Sequence, residues 1–192
     1  MDTEARRWME QARDGDAGAA TELINAFYGR LYAFLRRLAG NETEACDLTQ
    51  LAFSRIWKAL PSFAGRSSVS SWMHAIAYRT YVDWLRSSRR TEERSDAWWE
   101  ACATPEADPA ERASANDLSA TLFAAVDQLE PDLRATVHLR YYQGLTLEET
   151  AESLGIAASS VKYRLTQALA KLQTKLREDR TPLLQPTTRP QS

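Results

Sequence analysis

Apolar residues recur every three or four positions along most of the chain, the spacing that places them on one face of an α-helix. Residues 3–14 suit a short amphipathic helix, which Gly15-Asp16 ends. A longer helix is predicted over residues 19–39, with an apolar face of Leu23, Ile24, Phe27, Leu31, Phe34, Leu35 and Leu38. After Gly40-Asn41, a third helix over 42–60 presents Leu48, Leu51, Ala52, Ile56 and Leu60. The first half of the chain is therefore predicted to be helical.

A fourth helix is predicted after the loop 61–69, beginning at Ser70 or Ser71 as N-cap and ending near residue 90. Its core face is expected to be Trp72, Ile76, Val82 and Leu85. The remaining aromatic side chains, Tyr78, Tyr81 and Trp84, should then keep ring surface outside, among Arg79, Arg86, Arg89 and Arg90. Rings that stack on bases and guanidinium groups that hold phosphates favour single-stranded nucleic acid as the ligand. The alternative is that the rings are buried and the arginines are merely solvated.

An acidic segment separates this half from the rest of the chain. Residues 91–117 contain eight carboxylates against Arg94 and Arg112, a local balance of −6, and also Pro105 and Pro109. Such a composition predicts a flexible linker. Its adjacent Trp98 and Trp99 are costly to leave in water and are expected to dock on a domain or a partner.

The second half predicts four more helices. The first carries Leu122, Phe123, Val126 and Leu129 and ends before Pro131, and the second, over 132–142, turns Leu133, Val137 and Tyr141 inward. Thr146 and Glu149 then form a capping box, Ala151 permits a close crossing, and Gly155 suits the turn to a last helix. The apolar face of that helix is predicted as Val161, Leu165, Leu169, Leu172 and Leu176. This is the pattern of a helix-turn-helix.

Every charged residue of the last predicted helix is basic. Between residues 156 and 177 the charged residues are Lys162, Arg164, Lys171, Lys175 and Arg177. A helix apolar on one side and basic on the other suits a major groove lined by phosphates. An ordinary helical hairpin with a solvated basic face is the alternative.

Composition narrows the functional classes. The 192 residues have a net charge of −2 and contain no apolar run near the roughly 20 residues that span a bilayer. The charged N-terminus lacks the apolar segment of a signal peptide, so a cytoplasmic location is expected. The two cysteines, Cys46 and Cys102, and the two histidines, His74 and His138, form no metal-ligand or nucleophile motif. We therefore expect no metal, no cofactor and no enzymatic activity.

Taken together, several motifs resemble the bacterial extracytoplasmic-function (ECF) sigma factors. They are the acidic-Leu-x-Gln sequence at Asp47–Gln50 before an aromatic residue, the GRSS loop at 65–68, the aromatic helix that contains DWLR, and the later L-R-Y and G-L-T sequences. The resemblance covers roughly residues 19–90 and 118–177. It implies an all-α fold of two small domains joined by the acidic linker. Residues 1–90 would bind polymerase and the −10 element, 118–178 would bind the −35 element, and 179–192 would form a disordered tail.

The resemblance also implies roles for particular residues. The face that would dock on the β′ clamp helices of RNA polymerase comprises Asp47, Gln50, Phe53 and Trp57, although core packing is the alternative role for the two aromatic residues. The −10 element would be bound and opened by Phe63, Arg66, Ser67, Ser68, Trp72, Tyr78, Arg79, Tyr81, Asp83, Arg86, Arg89 and Arg90. The −35 element would be bound by Ser159, Ser160, Lys162, Tyr163, Arg164, Gln167 and Lys171. The implied partners are the polymerase core (β′ clamp helices and β flap), promoter DNA and an anti-sigma factor.

A second hypothesis is a stand-alone helix-turn-helix repressor or activator, in which residues 19–90 would sense a signal or dimerise. The GRSS loop and the aromatic-arginine helix discriminate between the two hypotheses, because a protein that binds only duplex DNA does not need them. An enzyme, the third class, lacks any acid/base or metal constellation.

Overall fold

The computed structural model describes residues 2–92 and 117–180, with side chains described for 2–88 and 121–177. These ranges contain helices and no strand, so the all-α prediction is confirmed there. The α-helices are α1 Asp2–Arg13, α2 Ala17–Ala39, α3 Glu42–Ala59, α4 Val69–Glu92, α5 Asp117–Asp127, α6 Pro131–Val137, α7 Leu147–Leu154 and α8 Ala158–Arg180. A 3-10 turn, Leu60–Ser62, follows α3. Most of the predicted linker, with Trp98, Trp99 and Cys102, and the predicted tail after Arg180 lie outside the described residues.

Helices α1 to α4 enclose the first core, and local capping sets where they begin and end. Asp16 caps α2 by accepting the amide hydrogens of Gly18 and Ala19, at 2.7 and 3.1 Å. Gly40 ends α2 with a φ of 86°, a left-handed conformation that glycine adopts without strain. Along α2 the predicted apolar face is buried except for Ile24, which is 41% exposed. Along α3 the exception is Leu51, which is 44% exposed.

Helix α4 begins at Val69, earlier than predicted. The Ser68 hydroxyl oxygen accepts the amide hydrogen of Ser71 at 3.1 Å, so Ser68 is the capping residue and neither Ser70 nor Ser71 is. The predicted core face was right but incomplete. Trp72, Ile76, Val82 and Leu85 pack against the first core and are half-buried, whereas more deeply buried side chains of α4 include Met73, His74, Ala77 and Tyr81. The reason is tertiary: α4 packs against α7 of the second half as well as against α2 and α3, so more than one side of it is covered.

The helix-turn-helix forms as its local signals predict. Both halves of the Thr146–Glu149 capping box are present, and Gly155 leaves α7 with a φ of 67°. The buried face of α8 is Val161, Leu165, Ala168 and Leu172. Leu169, predicted to be inward, is 46% exposed. Ala168 and Leu169 fit the apolar spacing equally well, and the smaller side chain occupies the side that packs against α5, α6 and α7.

A π-helical turn, His138–Tyr142, follows α6 and changes which residues face inward. The amide of Gln143 donates to the carbonyl of His138 at 3.0 Å, five residues back, so the turn holds one residue more than an α-helical turn. His138 and Leu139 are consequently buried, and Tyr141 is 57% exposed. The prediction of an inward Tyr141 was therefore wrong, because it assumed uninterrupted α-helical spacing.

The two halves of the chain pack directly against each other. Leu139, Leu145 and Leu154 from the second half join the first hydrophobic core. The hydroxyl of Ser153 donates to the carbonyl of Ser71 at 3.1 Å, which joins α7 to α4. At the other end, Arg30 donates to the carbonyl of Gln143 at 2.9 Å. Both apolar contacts and buried polar contacts therefore join the halves.

None of the helices within residues 2–92 and 117–180 combines the length and the apolar composition that a membrane-spanning segment requires. In the same ranges, no cluster of three histidine, cysteine or carboxylate side chains is arranged to hold a metal ion.

Candidate nucleic-acid interface

The loop before α4 is shaped by an aromatic contact, by a turn at a glycine and by the residue that caps α4. Phe63 packs on Trp72, with ring centroids 5.1 Å apart and planes at 58°. Gly65 has a φ of 67°, which turns the chain toward α4. Ser68 caps α4, and its carbonyl also accepts the amide hydrogen of Trp72 at 3.0 Å. The loop is thus tied to the helix that follows it.

Most of the residues predicted to contact a −10 element lie at the surface of this loop and of α4. The charged members are exposed at Arg66, Arg79, Asp83 and Arg86, and the half-buried members are Phe63, Ser67, Ser68, Trp72 and Tyr78. The side chains of Arg89 and Arg90 lie outside the described part of the chain. Asp83 binds Arg55 of α3 at 2.7 Å, so this carboxylate also has a structural contact.

Tyr81 is the exception, because it is only 4% exposed. A ring that is enclosed by the core cannot stack on a base without unfolding its surroundings. Trp84 lies beside it, with ring centroids 5.9 Å apart, and is half-buried. The aromatic side chains with surface available on α4 are therefore Trp72, Tyr78 and Trp84 rather than Tyr81.

Asp132, which sequence patterns did not single out, connects α4 to α8. Its carboxylate accepts a hydrogen bond from the Tyr78 hydroxyl at 3.3 Å and from an Arg164 guanidinium nitrogen at 2.7 Å. Burial raises the pKa of the Tyr78 hydroxyl, and the nearby Asp132 carboxylate raises it further. The hydroxyl therefore stays protonated and able to donate. Two predicted DNA-binding side chains from different halves of the chain share this single carboxylate.

The remaining predicted residues of α8 are on its outer side. Those exposed are Ser159, Ser160, Lys162, Tyr163, Gln167 and Lys171. Tyr163 is 63% exposed and accepts a hydrogen bond from the Gln167 amide at 2.7 Å. Lys171 forms an ion pair with Glu130, and the hydrogen bond from Lys171 lowers the pKa of the Glu130 carboxyl. Glu130 and Asp132 thus supply the acidic partners that the basic segment 156–177 lacks.

The predicted polymerase-binding face on α3 is accessible. Asp47 and Gln50 are exposed, and Trp57 is 42% exposed. Phe53 is half-buried and packs on Tyr28 of α2, with ring centroids 5.9 Å apart. The alternative role of core packing therefore holds in part for Phe53. It does not hold for Trp57.

Three further apolar side chains on α2 and α3 are exposed, which the sequence patterns did not predict. Tyr28, Ile24 and Leu51 are each more than 40% exposed. A signal for them did exist, since an amphipathic helix with more apolar residues than one face can hold must expose some of them.

Helix α7 covers a side of α4. Ser71 is fully buried where α7 crosses, and its hydroxyl lies 3.1 Å from a Glu152 carboxylate oxygen and 3.3 Å from the Ser153 hydroxyl. Farther along, a cleft of about 490 Å³ opens between the halves. Tyr78, Arg79 and Arg86 line one side of it, and Asp132 and Arg164 line the other. The two predicted DNA-binding surfaces therefore meet at one cleft.

Comparisons with known proteins agree on both halves. Residues 23–91 match the model of Sigma-70 region 2, and residues 119–172 match that of Sigma-70, region 4. The chain is 30% identical to the ECF RNA polymerase sigma factor SigX of Bacillus subtilis, over 82% of this chain and 84% of that protein. It is also 30% identical to the RNA polymerase sigma-H factor of Pseudomonas aeruginosa, over 88% and 94% of the two chains.

Solved structures are similar as well. The sigma factor RpoE of Bartonella quintana, crystallised with the anti-sigma factor NepR, superposes with a TM-score of 0.70 at 25% identity. That match covers 83% of this chain and 98% of RpoE. CnrH, solved with the cytosolic domain of CnrY, has a TM-score of 0.66 at 24% identity, over 92% and 99% of the two chains. At this identity, the similarity to CnrH shows a shared fold.

Proposed function

Since the chain belongs to the extracytoplasmic-function sigma factors, which direct RNA polymerase to start transcription at particular promoters, we propose how its residues divide that work. Residues 1–90 bind the polymerase core and the −10 element, and residues 118–178 bind the −35 element. The acidic segment between them is the connector. The chain acts as a specificity subunit and not as an enzyme, and it needs no cofactor. It acts where the chromosome is, in the cytoplasm.

The −10 element is assigned to the loop 63–68 and the outer side of α4. Arg66, Arg79 and Arg86 are exposed and can hold a phosphate backbone, while Phe63 and Trp72 present a fixed aromatic pair. A base that leaves the duplex costs a few kcal/mol, and stacking returns roughly 1–3 kcal/mol for each ring that it meets. Strand opening can therefore be driven by binding alone.

The −35 element is assigned to the exposed side of α8. Tyr163 and Gln167 form a hydrogen-bonded pair one turn apart, and Lys162 is exposed beside them. Amide and basic side chains of a groove-bound helix can reach base edges or phosphates. Arg164 is half-buried on Asp132 and must exchange that partner for DNA.

Core polymerase is assigned to the α3 face that carries Asp47, Gln50, Phe53 and Trp57. The support is the exposed indole of Trp57 beside two exposed polar side chains. Tyr28 and Leu51 extend this face with further apolar surface. Exposed aromatic and aliphatic side chains grouped in this way favour a protein partner. A second protein partner, an anti-sigma factor, is proposed by analogy with RpoE, which was solved with NepR.

The observation that supports these assignments is the presence, in one chain, of two different exposed surfaces whose side chains suit nucleic acid. One combines aromatic rings with arginines on α4, and the other is the basic outer side of α8. A regulator that binds only duplex DNA has no use for the first surface.

Run-off transcription with core RNA polymerase over a panel of ECF-type promoters tests the assignments. The full chain is expected to produce transcripts from particular promoters and to bind promoter duplex weakly without polymerase. Asp47→Ala together with Trp57→Ala should reduce polymerase binding, whereas Glu22→Ala, an exposed change on α2, should not. Tight and specific duplex binding by the chain alone, with no transcript, would overturn the division of labour.

A further inference from the structure

Helix α1 is bound to the loop that precedes α4 by a charged side chain. The Arg6 guanidinium donates to the carbonyl of Gly65 at 2.9 Å through one terminal nitrogen. Through the other it donates to the carbonyl of Ser67, also at 2.9 Å. These two carbonyls flank Arg66, so the guanidinium holds the loop on both sides of its exposed arginine.

Asp2 extends the same contact to the start of α4. One carboxylate oxygen accepts the Arg6 Nε hydrogen at 2.9 Å. The other accepts the amide hydrogen of Val69, the first residue of α4, at 3.0 Å. A carboxylate at a helix N-terminus both satisfies an amide that lacks an intrahelical partner and opposes the helix dipole. Asp2 and Arg6 therefore connect the loop and the helix into one unit.

Helix α1 is itself fixed to the core, which makes it a rigid support. Ala5 and Met9 are each 2% exposed and belong to the first hydrophobic core. Met9, Phe63 and Gly65 line a small cavity of about 200 Å³ between α1 and the loop. Phe63 also packs against the first core, so the loop is held by this apolar contact as well as by the guanidinium.

We propose that Arg6, oriented by Asp2, is a positioning residue that presets the loop 63–68 for capture of a −10 base. This inference rests on the proposed −10 role of the loop. Loops lose conformational freedom on binding, and a loop that is already ordered loses less. Arg6 has no need to touch DNA. It keeps Phe63, Arg66 and Ser67 in the geometry that binds the unpaired strand.

The test compares Arg6→Gln with Arg7→Gln, which makes the same charge change at the next, exposed position of α1. Each full-length variant is assembled with core polymerase. Affinity is measured for a fluorescent single strand that carries the −10 sequence, and open-complex formation is measured on duplex and on pre-melted promoters. Arg6→Gln should weaken single-strand binding about tenfold, as loss of a charge-assisted hydrogen bond does. Arg7→Gln should match the wild type.

Two further variants separate positioning from stability. Arg6→Lys keeps the charge but lacks the planar guanidinium, whose three nitrogens reach Asp2 and the two carbonyls in fixed directions, so it should recover only part of the affinity. Asp2→Asn should also reduce single-strand binding, and binding to core polymerase should stay unchanged in all variants. Thermal unfolding of each variant identifies any general loss of fold.

The outcomes separate this inference from the function on which it rests. If the wild type itself neither binds the single strand with polymerase nor opens promoters, the −10 assignment of the loop fails. If the wild type does both and Arg6→Gln equals Arg7→Gln, the −10 assignment survives and the positioning role of Arg6 is wrong. An equal loss of polymerase binding and single-strand binding by Arg6→Gln would also overturn it, since that result shows a folding effect.

Discussion

At the scale of single residues, a few polar contacts decide which predicted side chains are available. Arg164 and Tyr78 both bind Asp132, and Lys171 binds Glu130. Each contact is at least partly open to solvent, where an ion pair contributes about 0–1 kcal/mol. DNA phosphates and base edges can therefore replace these partners at low cost.

Opposite effects on duplex affinity are expected from the two members of the Arg164–Asp132 pair. Arg164→Ala should weaken −35 duplex binding by about 1–3 kcal/mol if the side chain contacts a base edge. Asp132→Asn should strengthen it severalfold at low salt, because a carboxylate next to the DNA is removed and Arg164 is released. Fluorescence anisotropy with the isolated chain measures both.

Glu148→Gln is the control for Asp132→Asn, since it removes an exposed carboxylate from the first turn of α7. It should raise affinity less than Asp132→Asn does.

An unchanged promoter preference in Arg164→Ala would remove this residue from the −35 contacts.

Tyr78→Ala should impair promoter opening more than initial binding. Loss of one ring that stacks on a base costs roughly 1–3 kcal/mol, which is about 5- to 150-fold in the equilibrium constant for opening. Tyr78→Phe retains the ring and loses only the hydrogen bond to Asp132, so it should open promoters like the wild type. Permanganate footprinting of unpaired thymines measures opening. Normal opening of duplex by Tyr78→Ala, with failure on a pre-melted bubble, would contradict the assignment.

At the scale of elements, the capping signals were more reliable than the apolar spacing. The Thr146–Glu149 box and the turns at Gly40 and Gly155 form as predicted, because each depends on residues within a few positions. Apolar spacing located the helices correctly but misassigned Leu169 and Tyr141. Apolar spacing could not decide which of two adjacent positions is buried, because the packing of another helix against them decides it.

The residue before α8 has no side chain that can cap the helix. Ala157 precedes the helix, and its carbonyl accepts the amide hydrogens of Ser160 and Val161 at 2.9 and 3.2 Å. Ala157→Ser adds a side-chain acceptor and should raise the free energy of unfolding by about 1 kcal/mol. The same change one residue later, Ala158→Ser, lies inside the helix and should give no gain. Urea denaturation compares the two, and equal midpoints would show that this helix start is not limited by capping.

At the scale of the whole molecule, two buried histidines lie where the halves meet. The rings of His74 and His138 pack on Phe34, at centroid distances of 5.6 and 5.7 Å. Burial, together with the nearby charge of Arg30, lowers the pKa of His74 to about 4. Burial, together with the charge of Arg37, lowers the pKa of His138 to about 3. Both rings are therefore neutral near pH 7.

This burial predicts a loss of stability in mild acid. An unfolded histidine has a pKa near 6.5, so below that pH the unfolded chain takes up protons that the folded chain does not. The stabilisation is complete above about pH 6.5 and is lost as the pH falls toward 4. At pH 5 the expected loss is about 2 kcal/mol for each histidine.

Urea midpoints at pH 7 and pH 5 measure this effect. The double variant His74→Gln with His138→Gln should lose much less stability between the two values. Glu130 and Glu149 have lowered pKa values and stay ionised in this window, so they do not account for the change. Equal pH dependence in the wild type and the double variant would contradict the histidine account.

The positions of most helices, the helix-turn-helix and the residue types for nucleic-acid binding follow from the sequence alone, because caps and apolar periodicity act over a few residues. Tertiary structure decided the burial of Tyr81, the exposure of Trp57 and the sharing of Asp132 by Tyr78 and Arg164. It also brought Arg6 to the loop carbonyls across 59 and 61 positions of sequence. No local pattern encodes such contacts. They exist only because α4 packs against α1 on one side and against the second half of the chain on another, where α6 and α8 also pack together.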